Sequence, residues 1–337
     1  MKLAFLKKLV YCHSTPGDEH EVFTALSGQW RSLGWYARPL GRYALLAERP
    51  SLTSQAATIL LCAHADSPGY IVDTLRNSQG TAVPLGSPGC NQPSQRVIAK
   101  TAAGKIPLIL SAADIAADST AHSFQPVTGL QRGDRLAFVP SWRRSSDGRL
   151  QAPFLDNRVG CFLLAQLAEI LPPELPVNIV LAVTGGEEFT GFGASVLAQA
   201  IAADLVICLD ATYSSTEQGI SLGGGPVLTL SDRSVLICPE VHQALAALCV
   251  RWDIPLQVEI YNYSGTDARA FPQAGNTALV LPLLIASEGN HTAKETIDTA
   301  DLLSCLALLT RICTDLEALP ELLGRVSAQE AGRNGRD

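Results

Sequence analysis

Val183-Thr184-Gly185-Gly186-Glu187-Glu188-Phe189-Thr190-Gly191-Phe192-Gly193 is the stretch on which the fold turns. The aliphatic run 177–183 leads into it and predicts a buried parallel strand. Two glycines break that strand, two adjacent carboxylates follow, and further glycines precede an alanine-rich helix over 194–202. Strand, glycine turn, polar pair and helix is the sequence by which α/β proteins present side chains at the carboxyl edge of a sheet. Adjacent residues at a strand end point in different directions, so one of Glu187 and Glu188 can hold a metal while the other handles protons. The structural alternative is an acidic pair settling on a helix N-terminus, which the helix dipole favours.

The chain has 337 residues, enough for one large α/β domain or two smaller ones. With 47% hydrophobic and 17% charged residues and no low-complexity tract, it is not a disordered protein. A net charge of −7 without a basic stripe argues against a general nucleic-acid binder. Nothing approaches the roughly 20 apolar residues of a membrane span, and no signal peptide opens the chain, so a cytoplasmic location is expected. The nine cysteines form no C-x-x-C pair. Cys62, Cys161, Cys208, Cys249, Cys305 and Cys313 lie in apolar runs and read as reduced core thiols.

Other segments extend the α/β pattern. Residues 1–34 predict two helices about a break at Ser14-Thr15-Pro16-Gly17-Asp18, with Asp18 capping the second and His13 and His20 on the surface. A strand is expected over 40–48 and a buried one over 57–63, the latter ending in His64-Ala65-Asp66. Residues two apart in a strand share a face, which sets Asp66 against the His64 imidazole; a core histidine satisfied by a neighbouring acid has the same pattern. Residues 69–151 change texture, with short β-like pieces between Gly, Pro, Ser and Asn turns, and predict a small all-β domain inserted into the α/β domain formed by 1–68 and 152–320. Leu155-Asp156-Asn157-Arg158 then opens a strong helix, where Asp156 is either its N-cap or a carboxylate aimed at the sheet edge. Strands over 204–209, 256–261 and 277–284 follow, the first running into Asp210 and the last leading towards His291. A carboxylate directly after an apolar strand is costly to bury without a partner. A closing helix spans 300–319, and 321–337 is a polar tail.

His64, Glu187, Glu188, Asp210 and His291 therefore lie at or just beyond the ends of four sheet strands, with Asp156 opening the helix beside them. Two imidazoles and several carboxylates converging on one edge are ligands for divalent zinc, cobalt or manganese. On Ala63-His64-Ala65-Asp66, Leu155-Asp156-Asn157-Arg158-Val159-Gly160, Glu187-Glu188-Phe189-Thr190-Gly191-Phe192-Gly193-Ala194, Leu209-Asp210-Ala211-Thr212, Ser264-Gly265-Thr266-Asp267-Ala268 and His291-Thr292-Ala293-Lys294-Glu295, the chain resembles the tetrahedral aminopeptidase family of clan MH di-metal peptidases, which includes glutamyl and deblocking aminopeptidases. That resemblance implies a mainly parallel, zinc-exopeptidase-like sheet flanked by helices. It also implies aminopeptidase activity on short peptides with two divalent metals per subunit. His64 and Asp210 would bind one metal, Glu188 and His291 the other, and Asp156 would bridge them. Glu187 would be the general base, and Asp66 would orient His64. The family further implies a homo-oligomer, often of twelve subunits, with the inserted domain making contacts. The chain departs from the family pattern at Arg42, at Ser67-Pro68 and at Glu288-Gly289-Asn290, all outside the proposed ligands. Two other readings stand beside this one: a non-catalytic scaffold homologue, and a metal-dependent amidase or deacetylase acting on a non-peptide substrate.

Overall fold

The computed structural model describes residues 2–53, 55–89, 93–111 and 121–324; most of the expected polar tail lies outside them. The chain opens with helices α1 (Ala4–Val10) and α2 (His20–Ser32). In α2, Val22, Leu26 and Trp30 recur every four residues, and this stripe is what the helix buries. Asp18 does not cap α2 as expected. The helix starts after Glu19 without a side-chain cap, and Asp18 instead receives Lys100 Nζ at 2.7 Å. The single strand expected over 40–48 is a hairpin, β1 (Tyr36–Leu40) and β2 (Ala44–Arg49), because the chain reverses at Gly41 with φ 59°.

β3 (Thr58–His64) carries the chain to the sheet edge. Six strands then close on themselves: β4 (Gly69–Leu75), β5 (Gly80–Leu85), β6 (Ser94–Thr101), β7 (Gly104–Ser111), β8 (His122–Phe124) and β9 (Arg135–Phe138). Closure leaves no free edge, and Tyr70, Val72, Val97, Leu110, Phe124 and Phe138 fill the barrel. β10 (Arg143–Arg144) and β11 (Arg149–Ala152) lie outside the barrel, at the end of the large sheet.

The rest alternates strand and helix: α3 (Leu155–Ile170), β12 (Asn178–Thr184), α4 (Phe192–Ala200), β13 (Leu205–Tyr213), β14 (Val227–Ser231), α5 (Pro239–Arg251), β15 (Gln257–Ile260), α6 (Ala270–Gln273), β16 (Leu279–Glu288), β17 (Glu295–Asp298), α7 (Thr299–Thr314) and α8 (Ala318–Leu322). The closing helix expected over 300–319 is thus two. Asp315 leaves helical geometry, and its carboxylate accepts from Trp252 Nε1 and the Glu317 amide.

The large sheet runs β1-β2-β12-β3-β13-β16-β17-β11-β10, with β14 and β15 attached through β16. Its centre, β12-β3-β13-β16, is parallel throughout. These strands read as near-continuous apolar runs because both faces are covered. On β3, Ile59, Leu61 and Ala63 face the core beneath α1, α2, α3, α5 and α7, while Leu60 and Cys62 face the smaller core under α4 and α6. The period of two carries forward, so His64 continues the face of Leu60 and Cys62, and Asp210 that of Val206 and Cys208. The mixed, mainly parallel α/β architecture expected from the sequence is the one observed. The eight described cysteines are all free thiols, and no described helix is long and apolar enough to cross a membrane.

His13 is a correction to the surface reading: it is only 5% exposed, with Nε2 3.6 Å from Asp18 Oδ2. Burial lowers its pKa to about 4, against the pull of Asp18. An unfolded chain takes up this proton near pH 6.5, whereas the folded protein resists it until about pH 4. Stability from this group is therefore complete above pH 6.5 and lost as the pH falls towards 4, by up to about 3 kcal/mol. His13→Gln should flatten the acid side of the urea-midpoint profile between pH 7 and 4.5; an unchanged slope relative to wild type would contradict this assignment.

Candidate metal centre and active site

Four parallel strands end at one edge, and their register sets the first contacts. Thr184 at the end of β12 is paired with His64 at the end of β3. The chain leaving β12 must reverse at once, and Gly186 does so at φ 76°, where side chains with a Cβ are disfavoured. At Gly193 a Cβ would lie 2.5 Å from the backbone N and O of Gly185. Only glycine lets α4 pack so closely against this turn, which holds Glu187 and Glu188 at the mouth of the edge.

The side chains converge on the two imidazoles in two groups that share Asp156, and a third group, His64–Glu187–Glu188, overlaps both. His64 Nε2 lies 3.1 Å from Asp210 Oδ1 and 3.3 Å from Asp156 Oδ1. His291 Nε2 lies 3.4 Å from Asp156 Oδ2 and 3.4 Å from Glu188 Oε1. Within each group, His64–Asp156–Asp210 and Asp156–Glu188–His291, the donor atoms all fall within 4.8 Å of one another. Asp156 is not the helix cap: the Gly160 amide donates to Asn157 Oδ1 at 3.0 Å instead. The Asp156 backbone is non-helical (φ −77°, ψ 107°), and this departure turns the carboxylate towards both imidazoles.

Electrostatics point the same way. Burial works against charge on Asp156, yet the His291 and His64 imidazoles beside it hold its carboxyl below the usual range. Burial also opposes charge on His64, but Asp210, Asp156 and Asp66 hold its pKa well above the ordinary value. Glu188 goes the other way: burial, with Asp156 and Glu187 nearby, raises its pKa well above normal. Burial and the same crowding raise Asp210. One imidazole N–H cannot serve two carboxylates at once, and Asp156 Oδ1 and Glu188 Oε1 are buried without a hydrogen-bond donor. A desolvated edge with surplus acid and open carboxylate oxygens fits divalent cations, whose hard oxygen and imidazole ligands are the types present.

Supporting contacts fix the donors. His64 Nδ1 is 3.1 Å from the carbonyl oxygen of Asp66 and 3.7 Å from its carboxylate. The Asp66 carboxylate chiefly accepts the amides of Glu187 and Glu188, each at 3.1 Å, and so holds the acidic turn itself. Three further residues take part that stand in the quoted motifs but were given no role there. Glu295 is buried and accepts the amide of Asp156 at 2.8 Å and that of His291 at 3.0 Å. His291 has φ 65°, unusual for a residue with a Cβ, and the Glu295 bond helps hold it there. Arg158, fully buried, donates to the carbonyls of Leu9 and Ala65 and to Ser67 Oγ, bracing the segment after His64. Asp267 accepts from Thr184 Oγ1, and burial pushes its pKa to about 6. Their place in the quoted motifs marked them, but an acid or arginine at such a position states no role, because ordinary caps and surface charges share the pattern.

The cluster opens into a cleft of about 340 Å³, lined by His64, Asp156, Glu187, Glu188, Asp210 and His291 together with Tyr213, Tyr261 and Tyr263.

Residues 86–308 match the model of the M42 glutamyl aminopeptidase family. The chain belongs to that family, and so to the hydrolases that act on peptide bonds. Peptidases of this family are metal-dependent, in keeping with the donor cluster. The glutamyl aminopeptidase of Lactococcus lactis subsp. cremoris is 25% identical over 342 residues, covering 92% of this chain and 95% of that protein. The fold is that of an aminopeptidase from the archaeon Desulfurococcus kamchatkensis (TM-score 0.86, 20% identity, 97% of this chain and 98% of the other). It is also that of the TET1 peptidase of Pyrococcus horikoshii (TM-score 0.83, 18% identity, 93% and 99%), described as able to assemble into a tetrahedron or a large octahedral shell.

The double anchor on Glu295 generates a prediction. Glu295→Ala frees the amides of Asp156 and His291 together and should weaken binding of a divalent metal ion by about 10- to 100-fold, as loss of other outer supports of metal ligands does. Titration against a competing chelator reads this directly. Unaltered affinity in a folded variant would remove Glu295 from the site's support.

Proposed function

We propose that the chain is an aminopeptidase that removes N-terminal residues from short peptides, using two divalent metal ions per subunit. His64 and Asp210 would hold one ion, His291 and Glu188 the other, and Asp156 would bridge them. One observation carries this reading: Asp156 turns Oδ1 to His64 at 3.3 Å and Oδ2 to His291 at 3.4 Å. A carboxylate with each oxygen facing a separate imidazole–acid pair has the disposition required of a bridge between paired ions. The mixed imidazole and carboxylate set favours zinc and also accepts cobalt or manganese. When bound, the ions supply Lewis acidity that polarises the scissile carbonyl and lowers the pKa of water.

Glu187 is the general base of this scheme. It lines the cleft and pairs with neither imidazole, while its carboxylate lies within 4.8 Å of donor atoms of His64 and Glu188. Burial pushes its pKa well above the ordinary value, with Asp210, Asp267 and Asp66 adding to the shift and His64 opposing it. A carboxylate so placed takes a proton from the attacking water and returns it to the leaving amine. Asp66, by accepting the Glu187 amide, positions that base. The preference for a free N-terminus rests on family membership.

The same relationships support a homo-oligomer, such as the tetrahedron described for the Pyrococcus horikoshii peptidase; twelve subunits with the barrel of β4 to β9 among the contacts rest on the family resemblance. The eight described cysteines are free thiols, which suits the cytoplasmic location this reading includes.

Glu187→Gln keeps size and hydrogen bonding but removes the base. It should lower kcat on aminoacyl anilides by about 10²- to 10⁴-fold while metal content stays near two ions per chain and the sedimentation mass stays above that of one chain. Substantial remaining turnover would contradict the role of Glu187, and a monomeric mass would remove the oligomer.

A further inference from the structure

One wall of the cleft takes no part in the chemistry described so far. Tyr213, at the end of β13, and Tyr261, just beyond β15, meet edge to face with ring centroids 6.4 Å apart. Tyr261 and Tyr263 meet in the same way at 5.8 Å. The three rings form a continuous aromatic surface along the cleft, while Leu284 lies in its lining nearer the sheet. Tyr213 is 45% exposed and Tyr263 79% exposed, so this surface faces water rather than packing into the core. Open aromatic area beside reacting groups is area that a substrate side chain can cover.

The charges around that wall are equally specific. Among the described lining residues there is no lysine or arginine, and the two imidazoles already face Asp156, Asp210 and Glu188. An acidic substrate side chain against the tyrosines would lose its hydration without gaining a side-chain counter-charge, since the proposed ions are taken up by their own carboxylates and the scissile carbonyl. A basic one fares little better. Glu259, the carboxylate behind this wall, is buried, and both its oxygens are taken by the hydroxyls of Thr212 and Thr229, at 2.6 and 2.7 Å. The remaining acids belong to the proposed metal ligands and base.

We infer that this cleft selects peptides whose first residue carries an uncharged aliphatic or aromatic side chain, held against Tyr213, Tyr261 and Tyr263. The inference rests on the aminopeptidase reading and narrows it, setting this chain apart from an enzyme for N-terminal glutamate. The tyrosines act as specificity-determining residues: they add contact area for the side chain and move no protons.

The test uses the full-length, zinc-loaded protein and a panel of leucyl, phenylalanyl, alanyl, glutamyl and lysyl anilides. Leucyl and phenylalanyl substrates should exceed glutamyl and lysyl ones in kcat/KM by at least about tenfold, the scale on which an apolar pocket discriminates. In Tyr263→Ala and Tyr213→Ala the loss should lie in KM for leucyl and phenylalanyl substrates and be smaller for the alanyl one, with Tyr→Phe restoring most of it. Cleavage that favours glutamyl or lysyl substrates would overturn the inference while leaving an aminopeptidase. Equal losses on every substrate, or losses confined to kcat, would overturn the role of the tyrosines. No cleavage of any substrate would overturn both this inference and the function it rests on.

Discussion

Everything at the sheet edge depends on one carboxylate shared between two imidazoles. Asp156 lies between His64 and His291, and each of these histidines also meets a second acid, Asp210 or Glu188. No ordinary packing rationale places so many buried acids around two imidazoles, because each added carboxylate raises the cost of ionising the others. Asp156 is held low by the two imidazoles while burial and neighbouring acids raise Glu188, so the cluster carries more carboxylate than its imidazoles offset. Strong positive charge brought from outside resolves that conflict, and this is the physical reason the proposed function begins with metal.

The fold serves this cluster by rigidity. Four parallel strands buried on both faces deliver His64, Asp210 and the turn to Glu187 within one register, and the tight glycine contact at Gly193 fixes that turn against α4. Asp66, Glu295 and Arg158 then spend their polar groups on backbone amides and carbonyls, so the donors are held by main chain rather than by side-chain packing alone. The exposed tyrosines on the opposite wall are built differently, with aromatic area left in water, as suits a surface that meets substrates rather than one that shapes the core.

Much of the fold was legible because buried parallel strands write themselves as apolar runs: 57–63 and 177–183 each fall within one residue of the observed β3 and β12. The closed barrel left a weaker trace, since short strands between turns do not state how they pair, and strands β10 and β11 could not be told apart from it by texture. Local competition escaped the sequence as well. Asp18 had the look of a cap, yet Lys100, 82 positions away, claims it. His13 looked like a surface residue because the elements that bury it are remote in the chain. The candidate site was legible as residue types at strand ends, which a metal centre requires. The bridging place of Asp156 came only from the family resemblance, and the support from Glu295 not at all, because they arise from an irregular helix start and from backbone amides that carry no sequence signal of their own.

The most direct measurement is a crystal structure of the zinc-loaded protein with anomalous data at the zinc edge. Two peaks about 3.5–4 Å apart, one at His64 and Asp210 and the other at His291 and Glu188 with Asp156 between them, are the expected result. A single ion, or ions bound away from Asp156, would contradict the shared-carboxylate account.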